Sequence, residues 1–288
     1  MRLVQPESWF DHAFLEGVVP VCDRISEEQP DLWQRVEGEG RRGDLPSPDL
    51  GEHSHPARRV PLIDYYRAAN DARRYSPSHA HALRYVLAIS GVAERLQAET
   101  VFMMDIGCGI GNGLAALLDE VPAIRAVEYA GVEPHIGMRN LANRYFLPHL
   151  ERAGCSTSVR STITAVDPGD STFGLVVLSY VTHQTGFRKR DCRRTVDAIV
   201  SLVRKIPTAV VVVTANSPNT AFRARDKRPV LQKLIRQAGL VFGPGTQQDR
   251  TARVDSRIWT DGEWRFKKPG RTPDFENISW DCWYVQTR

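Results

Sequence analysis

From residue 101 onward, short apolar runs of strand length trade places with segments whose apolar positions recur at helical spacing. Val101 to Ile106, Ala126 to Glu133, Ser156 to Val166, Phe173 to Tyr180 and Thr208 to Thr214 read as strands. Gly113 to Leu118, Ile136 to Leu150, Cys192 to Arg204 and Pro229 to Ala238 read as helices. The strands are rich in Val, Ile and Leu and do not alternate with polar residues, the pattern of strands covered on both faces. This predicts a doubly wound α/β domain with a mostly parallel sheet. The last part of the chain departs from that rhythm. Arg250 to Trp259 alternates, Asp261-Gly262 is a hairpin turn signal, and Glu263 to Phe266 and Ile278 to Gln286 follow as strands. An antiparallel edge is expected there.

Before residue 100 the texture is different. Trp9, Phe10, Phe14, Leu15 and Trp33 predict one or two short helices that dock on something larger, an N-terminal helical arm. Residues 34 to 59 are dense in Gly, Pro and charge and read as a linker or long surface loop. Residues 60 to 97 place Ala82, Leu83, Val86 and Leu87 at helical spacing, with Ser76 and Pro77 as an N-cap and first-turn pair, predicting two helices. The expected division is arm and linker at 1–59, a helical lid segment at 60–99, and the α/β domain at 100–288.

Composition narrows the class only a little. With 288 residues, 42% of them hydrophobic and 25% charged, the chain has ample material for a core. A net charge of +4 permits an anionic partner without demanding one. No apolar run approaches the length of a membrane span, and the acids and Pro near the start do not suit a signal peptide. Five scattered cysteines without a CxxC pair read as free thiols of a reducing, cytoplasmic compartment. His53 and His55 lack partners at metal-ligand spacing.

The chemistry concentrates in VFMMDIGCGIGNG. Asp105 ends a strand, Gly107, Gly109 and Gly111 follow at alternate positions, and a helix begins. Glycines there let a ligand lie against the backbone of a tight strand-to-helix turn. The spacing is not the GxGxxG of a dinucleotide loop, and an acid beside a diphosphate would repel it, which disfavours an NAD-dependent oxidoreductase. A ligand with a sulfonium and an α-amino group suits the acid better.

These residues, Asp105-Ile106-Gly107-Cys108-Gly109-Ile110-Gly111, resemble the first motif of class I S-adenosylmethionine-dependent methyltransferases. The element order from about residue 100 is similar to that fold. The resemblance implies a seven-stranded, mostly parallel sheet ending in an antiparallel hairpin, and S-adenosyl-L-methionine as cofactor. It further implies that Glu133, closing the next strand, binds the adenosine ribose. Ser161 and Thr162, with Asp167 further along, lie nearest the position of adenine contacts, and Thr162 is assigned there. The fourth strand begins with Gly174 where the family commonly has an acid. It ends without the Asn/Asp-Pro-Pro-aromatic tetrapeptide of nucleic-acid amino-methyltransferases.

At the end of that strand stand Ser179, Tyr180, Thr182, His183 and Gln184. His183 is a candidate base for the acceptor's proton, against a plain packing role, and Tyr180 a candidate catalytic or donor-covering residue. Ser179 and Tyr75, the latter from the lid segment, complete the candidate donor site with Cys108 in the glycine loop. Clusters at Arg188 to Arg194, Arg223 to Arg228 and Arg265 to Lys268 are either solvated faces or contacts for an anionic acceptor, RNA or a small molecule. The expected activity is methyl transfer to an O or N nucleophile. The alternative is a donor-binding assembly module whose N-terminal arm and Trp-rich C-terminal strand hold a protein partner.

Overall fold

A computed structural model describes residues 7–41, 62–164, 166–184, 186–216, 220–255, 257–260, 262–266 and 275–288. The chain opens with α1 (Trp9–Ala13), a π-helical turn (Phe14–Val18), α2 (Val19–Glu28) and α3 (Pro30–Arg41), followed by α4 (Leu62–Ile89) and α5 (Val92–Arg95). The alternating part is β1 (Thr100–Ile106), α6 (Asn112–Glu120), β2 (Ala126–Val132), α7 (Ile136–Leu141), α8 (Leu147–Leu150), β3 (Cys155–Arg160), β4 (Phe173–Ser179), α9 (Lys189–Val203) and β5 (Thr208–Ala215). Then come α10 (Thr220–Arg225), α11 (Arg228–Gln237), β6 (Leu240–Phe242), β7 (Gln247–Asp255), β8 (Arg257–Thr260), β9 (Glu263–Phe266) and β10 (Phe275–Thr287).

The main sheet runs β3-β2-β1-β4-β5-β10-β6, with β7 pairing alongside β10 as an eighth strand. Strands β1 to β5 run parallel to one another, and β10 is antiparallel to β5, β6 and β7. This is the doubly wound, mostly parallel sheet that the apolar runs predict, closed by an antiparallel strand. Its strands divide their side chains between two cores with a period of two. Val101 and Met103 of β1, with Leu175 and Val177 of β4, face one core. Phe102, Met104, Val176 and Leu178 face the other, under α9 and α11. Burial on both faces is why these strands carry no polar alternation.

Several boundaries differ from those expected. The third strand stops at Arg160 instead of reaching Val166. β6, only three residues long, has too little pattern to be read as a strand. The hairpin at Gly262 joins β8 to β9 as a separate two-stranded sheet, while β10 closes the main sheet. The expected linker begins inside α3, which continues to Arg41; its remainder, with His53 and His55, lies outside the described residues. Ser76 and Pro77 do not start a helix. Pro77 sits inside the single helix α4, where it removes the bond its N–H would have made to the Arg73 carbonyl.

The arm spends its aromatic residues on its own chain. Phe10 stacks on Phe14 and packs on Phe146, Phe14 lies against Trp264, and Trp33 is buried. Ser8 Oγ and the Trp9 N–H both donate to the Asp119 carboxylate at the end of α6, fixing the arm's entry. Trp280 and Trp283 of β10 are buried as well. Phe10, Phe14, Trp33, Trp280 and Trp283 are therefore core residues, and Trp9 packs partly buried against them.

Gly17 marks the closest crossing: a Cβ there would lie 1.7 Å from the Tyr145 carbonyl oxygen. Backbone cannot yield as a flexible side chain does. Gly17→Ala should therefore destabilise the fold by ~2 kcal/mol or more, read as a lowered midpoint in urea unfolding. An unchanged midpoint would show that the arm does not dock through this crossing.

Among the described residues all five cysteines are buried and free, and no helix is long and apolar enough to cross a membrane.

Candidate functional site

In an open α/β sheet, ligands bind outside the carboxyl ends of the strands where strand order reverses. Here the reversal lies between β1 and β4, which run to either side from the sheet's centre. A cavity of about 550 Å³ opens there, floored by the ends of β1, β2 and β4 and roofed by α4. Asp105, Gly107, Cys108, Gly109, Glu133, Thr162, Ser179, Tyr180, His183 and Tyr75 all line it. Gly111 does not. It caps α6 with φ +109°, and a Cβ there would meet Leu147 Cδ2 at 2.7 Å, so its glycine serves the turn and its packing. Asp167 is also elsewhere, exposed and paired with Lys205 Nζ at 2.9 Å.

Asp105 is only 1% exposed. Its Oδ2 accepts the Tyr129 hydroxyl at 3.1 Å, and the Gly113 N–H also donates to its carboxylate, while Oδ1 has no hydrogen-bond partner. Burial, with a smaller push from Glu133, raises its pKa to about 7 against the opposing hydrogen bonds. The sequence made Gly113 look incidental. A Cβ on it would lie 2.4 Å from Asp105 Oδ2, so this glycine is what lets α6 start against the acid.

Glu133 has a double task. Its Oε2 accepts the Gly109 N–H at 3.0 Å and its Oε1 the His135 N–H at 2.8 Å, tying the glycine loop to the start of α7. Burial raises its pKa to about 7, with the two backbone donors and then Arg139 acting the other way. Arg139 Nη1 donates to the Glu133 and Pro134 carbonyls at 2.6 Å each and holds the strand end from behind. Gly107 and Cys108 bond through their N–H groups to the Val132 carbonyl, which fastens the loop to β2.

At the end of β4, Tyr180 adopts φ +57°, an uncommon conformation for a bulky residue. Its N–H donates to the Val213 carbonyl at 2.7 Å, and its ring stacks on His79 of α4 with centroids 3.9 Å apart and planes at 11°. Its hydroxyl neighbours the Glu276 carboxylate, yet neither that hydroxyl nor Glu276 Oε2 has a hydrogen bond of ordinary geometry. Burial, then that carboxylate, push the phenol well above its usual range. His183 Nδ1 lies 2.9 Å from Thr214 Oγ1. Burial depresses its pKa to about 4, so the ring is neutral at pH 7.

The sequence reading missed Asp71, His79, Asn112 and Glu276, all of which line the cavity. Asp71, Tyr75, His79 and Leu83 fall on one face of α4 at intervals of four, a signal visible once α4 is taken as one helix. Nothing local announces Glu276, which arrives from the start of β10. Gly174, where an acid was expected, lies at the far end of β4; a Cβ there would meet Thr208 Oγ1 at 2.8 Å.

In charge the cavity is acidic inside and basic at one edge. Asp71, Asp105, Glu133, Asp191 and Glu276 line it, against Arg190 and Arg194 from the exposed face of α9. Arg190 is paired with Asp191 at 3.6 Å.

No family model matches the chain, and no curated protein matches it. Solved structures do. An S-adenosylmethionine-dependent methyltransferase from Aquifex aeolicus is similar over 74% of this chain and 95% of its own, at 12% identity and a TM-score of 0.42. A precorrin-6y C5,15-methyltransferase from Geobacter metallireducens is similar over 71% and 87%, at 12% identity and 0.42. An O-methyltransferase family protein from Burkholderia thailandensis is similar over 77% and 62%, at 16% identity and 0.44.

Proposed function

We propose that this chain binds S-adenosyl-L-methionine and transfers its methyl group to a nucleophile received in the same cavity. One observation carries the reading: a fully buried carboxylate, Asp105, keeps an unpartnered oxygen in a cavity at the sheet's switch point. A buried acceptor without a partner is costly unless a donor group arrives. The α-ammonium of the cofactor is such a group, and its positive charge offsets that of Asp105 and Glu133, whereas a diphosphate would be repelled by both.

The chain's residues divide the cofactor's parts among them. Gly109, with φ +59° and nothing nearer than Asn112 Nδ2 at 3.6 Å from where a Cβ would stand, offers bare backbone against which the donor can lie, while Gly107, with φ +72°, makes the turn close against the Val181 side chain. Each Glu133 oxygen holds one backbone N–H and retains a further acceptor direction for a ribose hydroxyl. Thr162 and Ser161 stand at the adenine side, and Ser179, whose Oγ is unpartnered, at the strand end facing the methyl-bearing part. When bound, the donor supplies an electrophilic methyl on a cationic sulfur. The chain then contributes orientation and exclusion of water, with α4 as the roof. His183 is too weak a base to carry a proton at neutral pH, so its role is to accept or donate a hydrogen bond as a neutral ring.

Calorimetric titration tests this. S-adenosylmethionine and its demethylated product should both bind, with Kd in the ~1 μM to 1 mM range usual for enzyme ligands, and NAD should not. A folded sample that ignores both sulfur nucleosides removes the reading. Donor binding with no labelled methyl transferred to RNA, protein or small-molecule fractions of an extract would instead favour the module alternative.

A further inference from the structure

The donor assignment leaves part of the cavity unused. In the spatial order β2-β1-β4-β5-β10, Glu133 and Asp105 close the first two strands, while Tyr180 follows β4 and Glu276 begins β10. The second pair therefore lies on the other side of the switch point from the donor's anchors. Tyr180 is 7% exposed, and its hydroxyl and Glu276 Oε2 are buried side by side without an ordinary hydrogen bond. The parallel His79 ring extends this corner into an aromatic shelf, with Tyr75 stacked on His79 in turn at 6.1 Å.

Resting on that donor assignment, we infer that the methyl acceptor is an amine carried on a planar apolar body, received between the His79–Tyr180 shelf and the Glu276 carboxylate. An ammonium N–H satisfies the orphaned carboxylate oxygen, and its charge is attracted to the neighbouring ring face. A carboxylate or phosphate acceptor would meet like charge at Glu276 and leave that oxygen unpaired. A phenol or alcohol would satisfy the oxygen but not the charge.

The step balances. The ammonium, held by the Glu276 carboxylate, gives one proton to solvent, and the freed nitrogen lone pair forms the N–C bond as the C–S bond breaks. The C–S electron pair stays on sulfur, which becomes a neutral thioether. The methylated nitrogen carries the positive charge and stays beside the Glu276 carboxylate.

The experiment uses the full chain saturated with S-adenosylhomocysteine, probed by ligand-observed NMR with phenethylamine, with its anionic counterpart 3-phenylpropionate and with a short oligoribonucleotide. Phenethylamine should bind and 3-phenylpropionate should not. Glu276→Gln, which keeps the side chain's shape, should weaken phenethylamine about tenfold or more, and His79→Ala should weaken it too. S-adenosylhomocysteine affinity should hold in both variants, which also shows that they fold. Preference for 3-phenylpropionate, preference for an oligoribonucleotide at Arg190 and Arg194, or amine binding indifferent to Glu276→Gln each overturns the inference. So does S-adenosylhomocysteine binding without any amine binding, while leaving the donor assignment standing. Failure of S-adenosylhomocysteine to bind the unaltered chain overturns both.

Discussion

Asp105→Asn should reduce affinity for S-adenosylmethionine on the order of 10²-fold, or ~3 kcal/mol, the usual cost of removing one member of a buried charged pair. The same substitution should leave the unliganded protein as stable as before, or more so, at pH 8. The two effects have one cause. Asp105 is held in a dry site with only Tyr129 and Gly113 as donors, and its carboxyl keeps its proton up to about pH 7 in the folded chain. Its ordinary value is 3.8, so between about pH 4 and 7 the folded state binds a proton that the unfolded chain has released. The stability this lends is complete below pH 4 and is lost as pH rises through 7, at most about 4 kcal/mol for such a displacement. Asp105→Asn removes that slope.

Donor binding must run the opposite way. A cation stabilises the ionised carboxylate, so affinity should grow as pH rises through 7, and binding near pH 6.5 should release protons. Titrations in two buffers of different ionisation enthalpy measure that release directly. Asp105→Asn should lose most of it, with Glu133 supplying the rest. Affinity and proton release both untouched by Asp105→Asn would put the donor's ammonium elsewhere.

The parts legible from the chain alone were those governed by local rules. Uninterrupted Val and Leu runs marked strands buried on both faces, and the Asp105 to Gly113 segment marked a strand, a tight turn and a helix start. What failed was a choice between two local rules. Ser76-Pro77 has the form of a helix start, yet Tyr66, Ala69 and Ala72 before it and Ala80, Leu83 and Leu87 after it are all buried in one core. Packing along the whole length of α4 outweighs the hydrogen bond that Pro77 forfeits. Reading two helices there hid the common face of Asp71, Tyr75 and His79, and with it the roof of the cavity.

Other features depended on contacts no local pattern encodes. Gly113 and Gly174 are glycines because of what each abuts, Asp105 and Thr208, and sequence shows the absence of a side chain without showing its reason. Glu276 joins the cavity only because β10 inserts beside β5 and starts before the apolar run that announces it. His183 was legible as a candidate at the strand end, while its proton affinity, set by burial, was not.

Glu133→Ala should be the second large loss, and its size alone will not say why. The carboxylate latches Gly109 and His135 whether or not a ligand is present, so deletion frees two backbone donors and loosens the glycine loop. Glu133→Gln keeps one acceptor oxygen and should cost about tenfold in donor affinity, against on the order of 10²-fold for Glu133→Ala. A latch and a sugar clamp predict the same order. They part in a double-substitution cycle that pairs Glu133→Ala with the ligand, comparing S-adenosylhomocysteine with its 2′,3′-dideoxy counterpart. If Glu133 accepts the ribose hydroxyls, removing them costs the unaltered protein dearly and the variant almost nothing, a coupling of ~1–3 kcal/mol. If the latch is the whole role, the two losses add and the coupling vanishes. The sum of single losses cannot imitate the first result, because loop loosening weakens both ligands alike.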